Sequence, residues 1–137
     1  MDRKVLLAAR VRPMSERELA IKGERCVRVD CDNGYLALME PDTREAKVFV
    51  LDYVYDSSAP PGHPDAQQGA SYASNRTVFA DLGRVCLQNF LEGYKVSVFV
   101  YGQEGTGRRH TMLGHEVDPG LLPRLLEEIV DQPEVTH

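Results

Sequence analysis

Hydrophobic and polar positions along the chain fall into short segments with distinct periods. Val5 to Val11 (VLLAARV) is almost wholly apolar and is followed by Pro13, a pattern that predicts a strand covered on both faces. Arg25-Cys26-Val27-Arg28-Val29-Asp30 alternates polar and apolar residues with period two, and Tyr35-Leu36-Ala37-Leu38 does so more weakly. Asn33-Gly34 between them is the pair that best tolerates the positive φ of a hairpin turn. Lys47 to Tyr55 reads as a further strand. Residues 56–71 are rich in Pro, Gly, Ser, Ala and Gln and lack periodicity, which predicts an exposed, mobile loop insertion. The pattern then changes. Val78, Phe79, Leu82, Val85, Cys86 and Phe90 follow the spacing of one helix face, with Ser74 or Asn75 as N-cap and Gly93 as the stop. Val96 to Tyr101 predicts a buried strand that runs straight into a glycine-rich loop. Leu122 to Val130 is a last amphipathic segment, with Pro123 near its first turn.

At 137 residues the chain is long enough for one domain with a modest core. Its 16 basic and 21 acidic side chains give a net charge of −5, and no basic stripe remains to serve nucleic acid. No apolar run approaches the length of a membrane span. Cys26, Cys31 and Cys86 are odd in number and lack metal-ligand spacing, which predicts thiols in a reducing compartment.

The glycine-rich loop carries the chemistry. A strand, a loop with closely spaced glycines and a helix start is the layout that points several backbone N–H groups at one anion. In the phosphate-loop pattern G-x-x-x-x-G-K-[ST], the Lys reaches the β- and γ-phosphates and the hydroxyl holds Mg²⁺. Here the run is Gly102, Gln103, Glu104, Gly105, Thr106, Gly107, Arg108, Arg109. The spacing is kept, but Arg108 replaces the ammonium with a wider planar cation, and Arg109 cannot ligate Mg²⁺. Glu104 adds a negative charge inside the loop. By spacing alone, a glycine-rich turn joining strand to helix is the competing reading.

The flanking residues add a resemblance. Phe99-Val100-Tyr101-Gly102-Gln103 continuing to His110-Thr111-Met112-Leu113-Gly114 resembles the phosphate-loop region of the kinesin motor head, whose usual text is FAYGQTGSGK[ST]-[YH]-TM-x-G. Arg10-Val11-Arg12-Pro13 resembles the family's R-x-R-P element, and Leu51 to Tyr55 its F-D-x-V-[FY] strand. Leu91 to Lys95 is similar to L-E-G-Y-N, and Gly120 to Arg124 to G-[IL]-I-P-R. Five motifs in order span nearly the whole chain. The resemblance implies an α/β fold, with residues 1–137 as the N-terminal part of a kinesin-type P-loop NTPase motor head with an incomplete central sheet. It implies ATP or ADP as ligand, with Gly102 to Arg109 around the phosphates. Arg10, Arg12 and Pro13 would lie on the adenine side of the base and His110 on its other face. It implies microtubules as partner and a cytoplasmic, cytoskeletal setting. The family's switch motifs, N-x-x-S-S-R-S-H and D-L-A-G-S-E, do not occur in the chain.

The expectations that follow are impaired Mg²⁺ binding, weak nucleotide binding and no motor activity by this chain alone. No catalytic or metal-ligating residue is assigned. A non-catalytic module that binds tubulin, another motor chain or a protein partner through exposed sheet edges is the alternative. An unrelated P-loop phosphotransferase is a third reading, with Asp52 as its possible Mg²⁺ anchor. In the family's sheet, the neighbour between the first strand and the phosphate-loop strand comes from sequence the chain lacks, which predicts low stability and association.

Overall fold

A computed structural model describes residues 5–59 and 72–132. The chain forms two compact units, Met1–Tyr72 and Ala73–His137.

In the first unit, strand β1 (Ala8–Val11) pairs in parallel with β5 (Tyr53–Asp56), in the register Ala8 to Tyr53 through Val11 to Asp56. The apolar run is therefore a strand only in its second half. Val5, Leu6 and Leu7 are 69%, 39% and 56% exposed, because among the described residues β1 has one ladder partner and not the two-sided cover its composition anticipates. Helix α1 (Glu16–Ala20), absent from the periodicity reading, follows Pro13. It is closed by a capping box in which Ser15 and Glu18 exchange hydrogen bonds with each other's backbone.

Strands β2 (Val27–Asp30), β3 (Tyr35–Met39) and β4 (Ala46–Val50) form an antiparallel meander. The turn between β2 and β3 is built as the Asn33-Gly34 pair predicts. Gly34 sits at φ 68°, and the Asp30 carboxylate accepts from the Asn33 side chain and backbone, each at 2.9 Å. Those two bonds, the side-chain one first, hold the Asp30 carboxyl below its ordinary range.

The single strand expected over Lys47–Tyr55 is two strands in two sheets. Leu51 N–H donates to the Gly34 carbonyl, on the side of the meander. One residue later, Asp52 N–H donates to the Leu7 carbonyl at 2.9 Å, and the Asp52 carboxylate accepts from Leu7 N–H at 2.9 Å. Asp52 thus ends one ladder and opens the other. β4 is exposed along its whole length, whereas Val54 and Tyr55 of β5 are buried. The loop expected from residue 56 starts later. Asp56 closes β5 and accepts from both the backbone and the hydroxyl of Ser58, and Ser57 and Ser58 are buried. Residues 60–71 of that expected insertion lie outside the described residues.

The second unit begins with a long helical stretch in three parts. These are α2 (Asn75–Val78), a wide π-type turn (Phe79–Gly83) and α3 (Arg84–Leu91). Ser74 caps it through Thr77 N–H at 3.2 Å, and Gly93 at φ 89° ends it, both as predicted. The buried face differs from the expected one. Val78, Phe79, Gly83 and Leu87 are buried, while Phe90 is 45% exposed. The π-type turn widens the helix and shifts the phase of every later residue, so the apolar stripe no longer follows 3.6-residue spacing. A side chain at Gly83 would overlap the Phe79 ring.

Val96–Tyr101 is not a buried strand. Among the described residues it joins no sheet, and Phe99 and Tyr101 are 90% and 100% exposed. Its sequence suits a central strand, but a strand needs neighbours, and among the described residues the segment leads unpaired into the loop. Helix α4 (Arg108–Met112) follows the loop. The short strands β6 (Gly114–His115) and β7 (Asp118–Pro119) then make a hairpin, and α5 (Leu121–Val130) ends the unit, with Pro123 in its first turn. Cys26 and Cys31 are exposed and Cys86 is half-buried. No helix among the described residues is long and apolar enough to cross a membrane.

Candidate functional site

The glycine-rich loop is a tight, self-bonded turn. The Thr106 amide and hydroxyl both donate to the Gln103 carbonyl, at 3.2 and 2.6 Å. Gly105 and Gly107 take φ of 80° and 89°, a backbone that side chains disfavour. Gly102 is constrained by proximity, since a Cβ there would come within 2.6 Å of Thr106 Oγ1. Gly107 is the N-cap of α4 and provides no side-chain cap. The helix is held by Thr111 N–H to the Gly107 carbonyl at 3.0 Å and Leu113 N–H to the Arg109 carbonyl at 2.8 Å.

Loop and helix border an open concavity of about 680 Å³, lined by Val100, Gly105, Gly107, Arg108, Arg109, Met112 and Leu113. Both guanidinium groups belong to exposed residues at its wall, and Glu104 is exposed on the loop. The donor set suits an anion of phosphate type: cations and glycine backbone. The Thr106 hydroxyl donates to the Gln103 carbonyl, and arginines occupy the two positions after Gly107. Among the described residues no group of three or more His, Cys, Asp and Glu could hold a metal ion.

His110 lies in α4, partly buried, with its ring edge-on to that of His115 at 5.5 Å and 60°. His115 Nδ1 accepts from Asp118 N–H at 3.2 Å. Behind α4 stands Asn75, whose Nδ2 donates to the carbonyls of His110 and Asp118, each at 3.1 Å. Asn75 is 1% exposed.

Arg10, Arg12 and Pro13 belong to the first unit. Arg10 Nε donates to Ser57 Oγ at 2.8 Å. Arg12 grips Glu18 with both terminal nitrogens, at 2.8 and 2.7 Å, and also donates to the Pro13 carbonyl at 2.7 Å. Those bonds raise the Arg12 pKa and hold the Glu18 carboxyl down at about 2, with the two Ser15 bonds adding to the effect. The phosphate-loop residues and His110 are thus gathered in one unit, and Arg10, Arg12 and Pro13 in the other. Sequence reading passed over Glu18, although Ser15-Glu16-Arg17-Glu18 spells a capping box. It also passed over His115, and it read Asn75 only as a possible cap.

With this geometry established, comparison with known proteins defines the class. The kinesin motor domain family model matches residues 10–136. Human kinesin-like protein KIF13B is 35% identical over 139 residues, covering 97% of this chain and 7% of the relative. Mouse kinesin-like protein KIF14 is 36% identical over 129 residues, again covering 7% of the relative. A solved structure of KIF14 residues 391–755, with ADP and in complex with a microtubule, superposes with a TM-score of 0.77 at 33% identity. That match covers 92% of this chain and 32% of the other. A two-heads-bound KIF14 dimer with AMP-PNP on a microtubule gives 0.79 at 31% identity. The chain belongs to the kinesin motor domain family, and its fold is a partial α/β head of that type. It spans under a tenth of the length of the curated relatives it matches and about a third of the solved head structures.

Proposed function

We propose that Gly102–Arg109 is the phosphate site of a kinesin-type head and that it binds the phosphates of ADP or ATP weakly and without Mg²⁺. The observation that carries this reading is the loop itself. Two left-handed glycines lead into α4, and Arg108 and Arg109 stand at the wall of the concavity. The glycines free the backbone to approach an anion, and the arginines neutralise it. His110, in the helix that follows the loop, serves the base. In the other unit, pairing with Glu18 fixes the Arg12 side chain in place.

The inherited activity is ATP-driven movement on microtubules in a cytoskeletal, cytoplasmic setting. By itself the chain turns over no nucleotide. Phosphoryl transfer is catalysed almost entirely by positioning and charge neutralisation, and the Mg²⁺ hydroxyl and both switch motifs are not in this sequence.

The test is calorimetric titration of the full chain with ADP, with Mg²⁺ and with EDTA, at low and high salt. The expected result is weak binding that chelation leaves unchanged, that salt weakens, and that R108A removes. Tight binding that needs Mg²⁺ and survives high salt refutes it. Phosphate release above a buffer blank, stimulated by microtubules, refutes the inactivity.

A second reading, a non-catalytic module for tubulin or another motor chain, draws on β4. This edge strand is exposed throughout, with Val48 and Val50 at 60% and 79%. Cosedimentation with microtubules that V50K abolishes and R108A leaves intact would favour it.

A further inference from the structure

We propose that Asn75 is the positioning residue of the glycine-rich loop. By holding the carbonyls of His110 and Asp118 together, it fixes α4 and, through α4, the loop that enters it. The inference rests on the phosphate-site reading for its consequence in binding, but its structural claim stands apart.

Helix α4 has five residues, too few to be stable alone, so something outside it must hold it. The last carbonyls of any helix lack intrahelical donors. Here Leu113 N–H serves the Arg109 carbonyl, and the chain then turns sharply at Gly114, at φ 64°. The carbonyl of His110 receives its donor from Asn75, 35 residues earlier. The same amide nitrogen serves the Asp118 carbonyl on β7, 43 residues later in the chain. A carboxamide NH₂ has two protons, which matches the two acceptors. Asn75 is also the first residue of α2, just inside the Ser74 cap, so its backbone is fixed independently.

Asn75 therefore ties three elements at one buried point: α2, α4 and the β6–β7 hairpin. A buried carbonyl that loses its donor bears the whole desolvation penalty. Removal of the amide would take a donor from two carbonyls at once, one of them two residues from Arg108 and the other, that of Asp118, left to its β6–β7 ladder. An aspartate of the same shape would turn a donor into a third acceptor facing the other two. The sequence places asparagine at a helix start, where a cap is the ordinary expectation. The cap is Ser74, and Asn75 faces inward.

The experiment is amide hydrogen exchange on the full 137-residue chain, comparing wild type, N75A and L87A. Leu87 is a buried residue of α3 that touches no part of the loop's hydrogen bonding, and its truncation controls for general destabilisation. In N75A, at a temperature where circular dichroism shows both variants folded, the Thr111 and Leu113 amides should exchange at least roughly tenfold faster than in L87A. Tenfold corresponds to about 1.4 kcal/mol of local stability. The α5 amide of Asp131 should change no more than it does in L87A. Equal acceleration in both variants overturns the proposal.

If N75A does not fold, wild type decides. The Asn75 side-chain NH₂ protons must be protected from exchange, and exchange as fast as an exposed carboxamide overturns it. ADP titration supplies the functional arm. If wild type binds and N75A loses affinity beyond L87A, positioning of the phosphate site is supported. If wild type binds and the two variants behave alike, positioning of the ligand site is refuted. If wild type fails to bind ADP, the phosphate-site reading falls, and the exchange result still decides the role of Asn75.

Discussion

Arg12 and Glu18 make a two-pronged ion pair with a closest approach of 2.7 Å, and its pH dependence follows from its geometry. The Glu18 carboxyl, ordinarily near 4.5, is held at about 2 by the Arg12 hydrogen bonds and by Ser15. A carboxyl depressed on folding contributes stability above its unfolded pKa and loses it as pH falls towards its folded one. The contribution is therefore complete above about pH 5 and is lost between about 4.5 and 2. Carbon-detected NMR of the Glu18 carboxyl should show a midpoint near 2, and a midpoint near 4.5 would mean that the grip on Arg12 is absent in solution. In E18Q the acid-side loosening of α1 over that window should vanish. Gly83 gives a second expectation for a single residue. A methyl group there overlaps the Phe79 ring, so G83A should cost about 1–3 kcal/mol through overpacking and lower the thermal midpoint. An unchanged midpoint would mean that the ring moves aside freely.

Among the elements, those specified by local chemistry were legible in the sequence. The hairpin turn came from Asn33-Gly34, the helix ends from Ser74 and Gly93, and α5 from its stripe and Pro123, because each depends on residues a few positions apart. The break at Asp52 was not legible, because its cause is a pair of bonds to Leu7, 45 residues away. Nor was the rotated face of the long helix. Periodicity assumes one turn width, and the Phe79–Gly83 turn violates it. The strand expected over Val96–Tyr101 failed for another reason: an apolar pattern records what a segment is suited to pack against, not whether a neighbour is there. The same division runs through the candidate site. Its loop follows from glycine spacing, whereas the pairing of Arg12 with Glu18 was passed over, although the Ser15–Glu18 box that positions Glu18 is local. The clasp at Asn75 depends on carbonyls distant in sequence, which no local pattern reveals. The break makes its own prediction. D52A removes the acceptor for Leu7 N–H and should loosen the start of β1 while sparing the β2–β3 turn, as read by amide exchange at Asp52 and Asn33 respectively.

For the molecule as a whole, exposed apolar surface dictates behaviour in solution. Phe99 and Tyr101 stand almost fully in water, and Val48 and Val50 line an uncovered edge. Flat edges and apolar segments of this kind recruit other chains. Sedimentation velocity of the 137-residue chain should show self-association that rises with concentration, and F99E and V50K together should reduce it. A concentration-independent monomer with a sharp cooperative melt refutes this expectation. The placement of the three thiols has a practical consequence for such measurements. Cys26 and Cys31 are exposed at the two ends of β2, while burial pushes the half-buried Cys86 thiol above its ordinary pKa. The thiolate is the nucleophile, so an alkylating reagent should mark Cys26 and Cys31 quickly and Cys86 slowly. Two dyes can therefore be placed across one strand without mutagenesis, and the arrival of a third mass increment times the opening of the second unit.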